Sequence, residues 1–339
     1  MKMRVTVSPR IARGPVVLNL HVTANAVFVG NHEKVVVNLD KATLKEVWRR
    51  KTKLLVRGGL PDVVFLGNYH TFEAWNEGGE VLWHRDFPQK VYSHGERLYL
   101  HELGMQVLDL RTAALLHRFD SPDGSPGLLT RDLMMLTHRT AVDPVYLIDL
   151  RDGRILWEKR LAAELHERHG IDPSGFLVGV EDAHDRAVLV RREHVVGMSL
   201  RSGELLWSTA LHVPYYVPQV KDGRAYVWTM APVDPGVPTN RLIVLDTATG
   251  RVVADRALES YGDAFRMRHE PRRGTLCQDH IVFTTDSGLM AVFRLSDGEL
   301  VWHEFYESGP RYPIFDDGRL YACCTDGTVA MFEPDGARL

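Results

Sequence analysis

Three segments of the chain are near copies of one another: LIDLRDGRILW ending at Trp157, GMSLRSGELLW ending at Trp207 and VFRLSDGELVW ending at Trp302. Each is an apolar run, a polar turn containing Gly, and a second apolar run closed by Trp. A degraded form of the frame ends at Trp48, Trp83, His117 and Ala254, which makes seven complete copies at intervals of 34 to 50 residues. An eighth, AMFEPDGARL, stops at Leu339 where its second run and its Trp would stand. Such a period marks units that cannot bury their apolar faces alone and must stack on one another. Gly supplies the positive φ that a tight turn needs, and the Asp carboxylate accepts from its own turn backbone, so each copy reads as a β-hairpin.

Another apolar run precedes each hairpin: AVFVGN, DVVFLGN, RLYLHE, LMMLTH, AVLVRR, AYVWTM, IVFTTD and LYACCT. With a shorter run before each of these, every copy becomes four strands, a to d in chain order. The fold expected is all-β: an eight-bladed β-propeller of four-stranded antiparallel blades, one domain over residues 1–339, with seven blades as the alternative if one degraded copy is a decoration. A ring of blades should leave no free edge, and at the chain start Met3, Val5 and Val7 alternate with Arg4 and Thr6 as a half-buried strand does. The N-terminal strand is therefore expected to close the eighth blade.

Charge excludes some partners. The 41 basic and 44 acidic residues give a formal charge of −3 with no long run of one sign, which points to neither nucleic acid nor an anionic membrane. No stretch approaches the roughly 18 apolar residues of a membrane span, and MKMRVTVSPR alternates where a signal peptide needs an unbroken apolar core. The expected location is the cytoplasm, and 32 Arg against 9 Lys suggests a GC-rich bacterial genome. Cys277, Cys323 and Cys324 fit neither a disulfide framework nor a zinc motif, so neither a metal nor a cofactor is expected.

The Gly-x-x-x-Trp spacing, preceded by Asp four residues before the Gly, resembles the PQQ-like propeller repeat family. Asp149, Gly153 and Trp157 carry the match in full, and Gly203 with Trp207 and Gly298 with Trp302 repeat its second half. The resemblance implies that Trp48, Trp83, Trp157, Trp207 and Trp302 are structural residues lying between blades. Members include quinoprotein alcohol dehydrogenases and the lipoprotein scaffold of outer-membrane protein assembly. The chain is much shorter than those dehydrogenases usually are, and no lipidated Cys is expected. The dehydrogenases carry an adjacent cysteine pair beside the quinone; here Cys323-Cys324 falls in the run LYACCT, where small buried core residues account for it.

The long connections all fall on the face of the d-to-a and b-to-c loops: 158–174, 208–216, 229–240 and 257–274. Loops on a rigid scaffold are where sites are usually built. In the first of them Leu161 and Leu165 predict a short rim helix, and His166 with His169 reads as solvated rather than as a metal pair. At the starts of the innermost strands stand Arg13, Lys53, Lys90, Arg272, Arg273 and Arg311, with Tyr215 and Tyr216 on the opposite arc. If they converge on the channel mouth, the cations suit a carboxylate or phosphate and the tyrosines an apolar portion; a solvated basic rim is the alternative.

There is no nucleophile elbow, phosphate loop, metalloprotease helix or dinucleotide fingerprint. The leading reading is a non-enzymatic binding scaffold that engages a peptide or protein partner through the long-loop face. The alternatives are an enzyme acting on an anionic small molecule or peptide at the channel mouth and, third, a quinone-dependent dehydrogenase. Deleting residues 1–8 is expected to lower the unfolding temperature sharply in a thermal melt; an unchanged melt excludes closure by the N-terminal strand.

Overall fold

In the computed structural model every residue is described except 1–2, 12–17, 32, 69, 88–90, 103, 121, 123–124, 131, 138–142, 170–176, 192, 214–216, 231–239, 263–264, 266–270, 286 and 335–339. Blade 1 consists of β2 (Leu18–Val22), β3 (Ala26–Asn31), β4 (Val35–Asp40) and β5 (Glu46–Lys51), and blade 2 of β6 (Leu55–Leu60), β7 (Val63–Gly67), β8 (Thr71–Asn76) and β9 (Val81–Asp86). Blade 3 is β10 (Val91–His94), β11 (Arg97–Glu102), β12 (Gly104–Asp109) and β13 (Leu115–Phe119). Blade 4 is β14 (Ser125–Leu129), β15 (Leu133–Thr137), β16 (Val145–Asp149) and β17 (Ile155–Lys159). Blade 5 is β18 (Leu177–Glu181), β19 (Arg186–Arg191), β20 (His194–Ser199) and β21 (Leu205–Ala210). Blade 6 is β22 (Gln219–Lys221), β23 (Arg224–Met230), β24 (Asn240–Asp246) and β25 (Val252–Ala257). Blade 7 is β26 (Pro271–Cys277), β27 (His280–Thr285), β28 (Leu289–Arg294) and β29 (Leu300–Phe305). Blade 8 takes β30 (Pro310–Asp316), β31 (Arg319–Cys324) and β32 (Val329–Pro334) from the end of the chain and β1 (Met3–Val7) from its beginning.

Eight four-stranded antiparallel blades make this an eight-bladed β-propeller, and the seven-bladed alternative falls. β1 pairs with β32 from Met3↔Pro334 to Val7↔Ala330, so the N-terminal strand does complete the last blade. The blades fall into two compact units, residues 1–123 with 308–339 (blades 8, 1, 2 and 3) and residues 124–307 (blades 4 to 7).

Middle strands are buried on both faces and read as unbroken apolar runs, as in VVFLG of β7, whereas outer strands such as EVWRRK of β5 are mostly exposed. The core therefore lies in seams between consecutive blades. Phe28, Val36, Val64 and Trp75 fill that between blades 1 and 2, and Leu147, Trp157, Leu189 and Met198 that between blades 4 and 5. The rim helix is present as α1 (Leu161–His169), with Leu161 and Leu165 buried in the second of these seams.

Each seam within a unit is also held by one hydrogen bond of constant type. Trp48 Nε1 donates to the carbonyl of Glu77 (3.1 Å), Trp83 to Leu110 (2.8 Å), Trp157 to Leu200 (2.9 Å) and Trp207 to Thr247 (2.9 Å). The acceptor is always the first turn residue after strand c of the next blade. Where strand d has no Trp, a Tyr on strand b takes over. Tyr226 Oη donates to Leu295 (2.8 Å), in the blade whose Trp position is Ala254, and Tyr321 Oη donates to Lys41 (3.3 Å), in the blade closed by β1. Tyr99, in the blade with His117 at the Trp position, occupies the same register: Tyr99↔Val107, Tyr226↔Val244 and Tyr321↔Met331.

The turn glycine belongs to the same device. At Gly250, φ is +71° and an added Cβ would lie 2.5 Å from Trp207 Cδ2 of the preceding blade. In blades 1 and 3 Leu44 and Ala113 hold this left-handed position instead, at φ +55° and +54°, without the Gly that relieves it. Two substitutions test the seam by urea denaturation. Tyr226→Phe should cost about 1 kcal/mol, since Leu295 keeps a second donor in Arg224 (3.1 Å). Gly250→Ala should cost roughly 2–4 kcal/mol through backbone strain and the collision with Trp207; a neutral Gly250→Ala would refute the coupling.

Candidate functional site

In the three copies where Thr follows the turn Asp by three residues, the carboxylate serves its own hairpin. Asp40 accepts from Thr43 N (2.8 Å), Asp109 from Thr112 N (2.8 Å) and Asp246 from Thr249 N (2.9 Å), and at Asp40 and Asp246 the bonds from the Thr hydroxyl and backbone hold the carboxyl below its ordinary value. Blade 4 differs because Asp152 stands where those copies carry Thr, three residues after the turn Asp, and Arg151 takes over the carboxylate. Asp149 is only 2% exposed, and Arg151 grips it with its backbone N (2.9 Å), Nε (2.9 Å to Oδ1) and Nη2. This bidentate pair holds the Asp149 carboxyl below its ordinary 3.8.

Beside that turn, blades 4 and 5 leave a cleft of about 260 Å³. Leu133 and Leu156 line it together with the carboxylates of Asp132, Asp149 and Asp182 and the guanidiniums of Arg151, Arg154 and Arg201. Blade 5 contributes through a 3-10 turn, Asp182–His184, that ends on Asp185 at φ 54°. Asp185 accepts from Ser199 Oγ (2.8 Å) and Arg201 N (2.7 Å), anchoring the turn that carries Arg201, whose Nη2 lies 3.3 Å from Asp182 Oδ1. Two cation–anion pairs are thus made within the cleft, while Arg154 and Asp132 have no side-chain hydrogen-bond partner among the described residues. Their charges act on the neighbouring pair, Arg154 on Asp149 and Asp132 on Arg151, so the cleft holds three charges of each sign above an aliphatic surface. Such an arrangement suits a dipolar or mixed-charge segment.

The cleft lies on the face of the a-to-b and c-to-d turns, opposite the long connections. Of the residues expected to line the channel mouth, Arg13, Lys90, Tyr215 and Tyr216 lie outside the described residues. Lys53 is exposed just before β6, and Arg311, on β30 opposite Cys323, is half-buried. Arg272 and Arg273 stand on β26, Arg273 opposite Thr284 and Arg272 in the bulge beside it. Of the inter-blade Trp set, Trp48, Trp83, Trp157 and Trp207 make the bonds described above, and Trp302 packs against Tyr306 with ring centroids 6.5 Å apart. All three cysteines are free and buried, and burial pushes the Cys277 thiol up to about 12. No group of three or more His, Cys, Asp or Glu suited to a metal occurs among the described residues.

Sequence reading missed the tyrosines and the cleft. RLYLHE, AYVWTM and LYACCT each carry Tyr at the register of the staple, in the three copies without a Trp, so that aligning these runs against the Trp positions would have found them. For the cleft the signal was weaker: Arg at the second position after the turn Asp, in the only copy that combines it with a following Arg154.

The Asp149–Arg151 pair makes stability depend on pH. Because the folded carboxyl titrates below its unfolded value, the contribution is complete above about pH 4 and is lost as the pH falls through the lowered folded value. Wild type should therefore exceed Asp149→Asn in stability at neutrality, with the difference shrinking in denaturant titrations as the pH falls below about 4. A constant difference would show that the carboxylate charge is not what matters.

A family model described as outer membrane protein assembly factor BamB matches residues 34–166 and 143–338. No curated protein matches the chain. Among solved structures, BamB from Moraxella catarrhalis superposes with a TM-score of 0.62 at 11% identity, covering 95% of this chain and 99% of that one. The computationally designed Ika8 protein superposes with a TM-score of 0.68 at 14% identity, covering 96% of this chain and 98% of its own. At those identities the superpositions speak for the fold alone, whereas the family model spans nearly the whole repeat array: the chain belongs to the BamB-type family of PQQ-like β-propellers.

Proposed function

We propose that the chain is a non-enzymatic scaffold that binds a peptide or protein segment, with the cleft between blades 4 and 5 as one point of engagement. The observation that carries this reading is the size and chemistry of the cleft. At about 260 Å³ it falls below the roughly 300–1,000 Å³ of pockets that enclose a small molecule. It is large enough for side chains of a longer segment lying across the turn face, and Arg154 and Asp132, which make no side-chain hydrogen bond among the described residues, match a segment of both signs. Membership of a family described by an assembly factor supports a protein partner. The stapled seams support a rigid platform, which lowers the ordering cost of binding.

The reading is tested with a displayed library of random peptides selected on the intact protein. Enrichment of sequences carrying an acidic and a basic residue close together is expected. The double reversal Asp132→Arg with Arg154→Asp should weaken the enriched peptides by about tenfold or more in fluorescence anisotropy. Selection that yields no consensus, or a consensus indifferent to the double variant, would remove the cleft as the binding point.

A further inference from the structure

An outer strand presents unpaired N–H and C=O groups, and β-sheet proteins blunt such edges with bulges or charge. The seven outer strands that follow a c-to-d turn all do so in one way: an extra residue immediately before the Trp position breaks the register with strand c. In blade 5, for example, Met198 faces Leu205 and Gly197 faces Trp207, leaving Leu206 unpaired. β1 reaches its blade from the chain start rather than through that turn, and its ladder with β32 is continuous from Met3 to Val7.

The direction of the free groups on β1 follows from its last bonds. Ser8 N donates to the Val329 carbonyl (2.9 Å), and Val329 N donates to Ser8 Oγ (2.9 Å). Residue 8 thus faces β32. By the alternation of an antiparallel ladder so do Thr6 and Arg4, whereas Met3, Val5 and Val7 point both backbone groups away from the blade.

We infer that β1 is the edge through which a second copy of this chain docks, the two β1 strands pairing antiparallel about a two-fold axis at Val5. In that register Met3 of one copy faces Val7 of the other and Val5 faces Val5, each outward residue exchanging N–H and C=O with its partner. The side chains that meet are all apolar, and Val7 is 54% exposed in the single chain. On the other face Arg4 stands opposite Thr6 of the second copy, so no like charges oppose each other, and the Arg4 charge is already taken by Glu333 (2.9 Å). The contact is isologous and closes as a dimer rather than propagating, because each chain offers one such edge.

Sedimentation velocity of the full chain from roughly 1 μM to 1 mM tests this, a range chosen because an interface of one strand is small and therefore weak. A monomer–dimer equilibrium is expected. Val5→Pro removes an N–H that points away from β32, so the blade keeps its own bonds while the dissociation constant rises about tenfold or more. Should Val5→Pro also lower the melting temperature, Val7→Lys decides, since it alters only an exposed side chain and should weaken the dimer similarly. A wild type that stays monomeric throughout, which would leave the edge to another protein's strand, or a dimer unaffected by Val7→Lys, overturns the proposal.

Discussion

The structure depends on one hydrogen bond, repeated from blade to blade, between an aromatic donor and the first turn carbonyl of the following blade. Sheets stacked through apolar side chains alone are held by a non-directional force, and adjacent blades could slide or rotate at little cost. A buried N–H or O–H aimed at a carbonyl that has no strand partner converts the seam into a defined angle, because leaving either group unsatisfied costs about 1–3 kcal/mol. The turn Gly allows the ring to lie close against the backbone that accepts from it. Donor, acceptor and Gly are contributed by two different blades, so the repeat is a unit of sequence whereas the seam is the unit of stability.

This explains why degraded copies are tolerated. Ala254 removes the ring but not the bond, since Tyr226 reaches the equivalent carbonyl from strand b, and Tyr321 does the same where β1 replaces a hairpin strand. At the Ala254 seam Arg256 adds a bond to the Asp297 carbonyl (3.0 Å) and Tyr261 one to Glu299 (2.6 Å). Burial holds the Tyr226 phenol as a donor by raising it to about 12. A search for Trp sees four of the six described donors; the constraint is a donor at the acceptor carbonyl, whatever strand bears it.

The candidate site arises from departures from the repeat rather than from its consensus. At Asp40 and Asp246 a Thr three residues later closes the turn internally. At Asp149 that role passes to Arg151, and in blade 5 Ser199 occupies the Asp position while Asp185, from another turn, supplies the carboxylate. The two changed turns belong to neighbouring blades, and Asp149, Arg151 and Arg201 from them line the cleft. The outer edge obeys the same logic, since β1 lacks the bulge because it lacks the turn that generates one.

The sequence by itself determined the number of blades, their strand order, the closure by residues 3–7 and the Trp positions, because these follow from local periodicity and from turn chemistry confined to a few neighbouring residues. The eighth copy's missing strand was legible for the same reason: Met3, Val5 and Val7 alternate as an edge strand must. Tertiary structure alone decided which Tyr replaces which Trp, that Arg151 rather than Arg154 turns back on Asp149, and which residues of β1 aim their backbone outward. The Tyr bonds join residues 69 and 280 positions apart, the Arg151 contact is a choice among side-chain conformations, and the outward groups of β1 depend on the phase of a ladder; none of these is written in the order of residues along one strand.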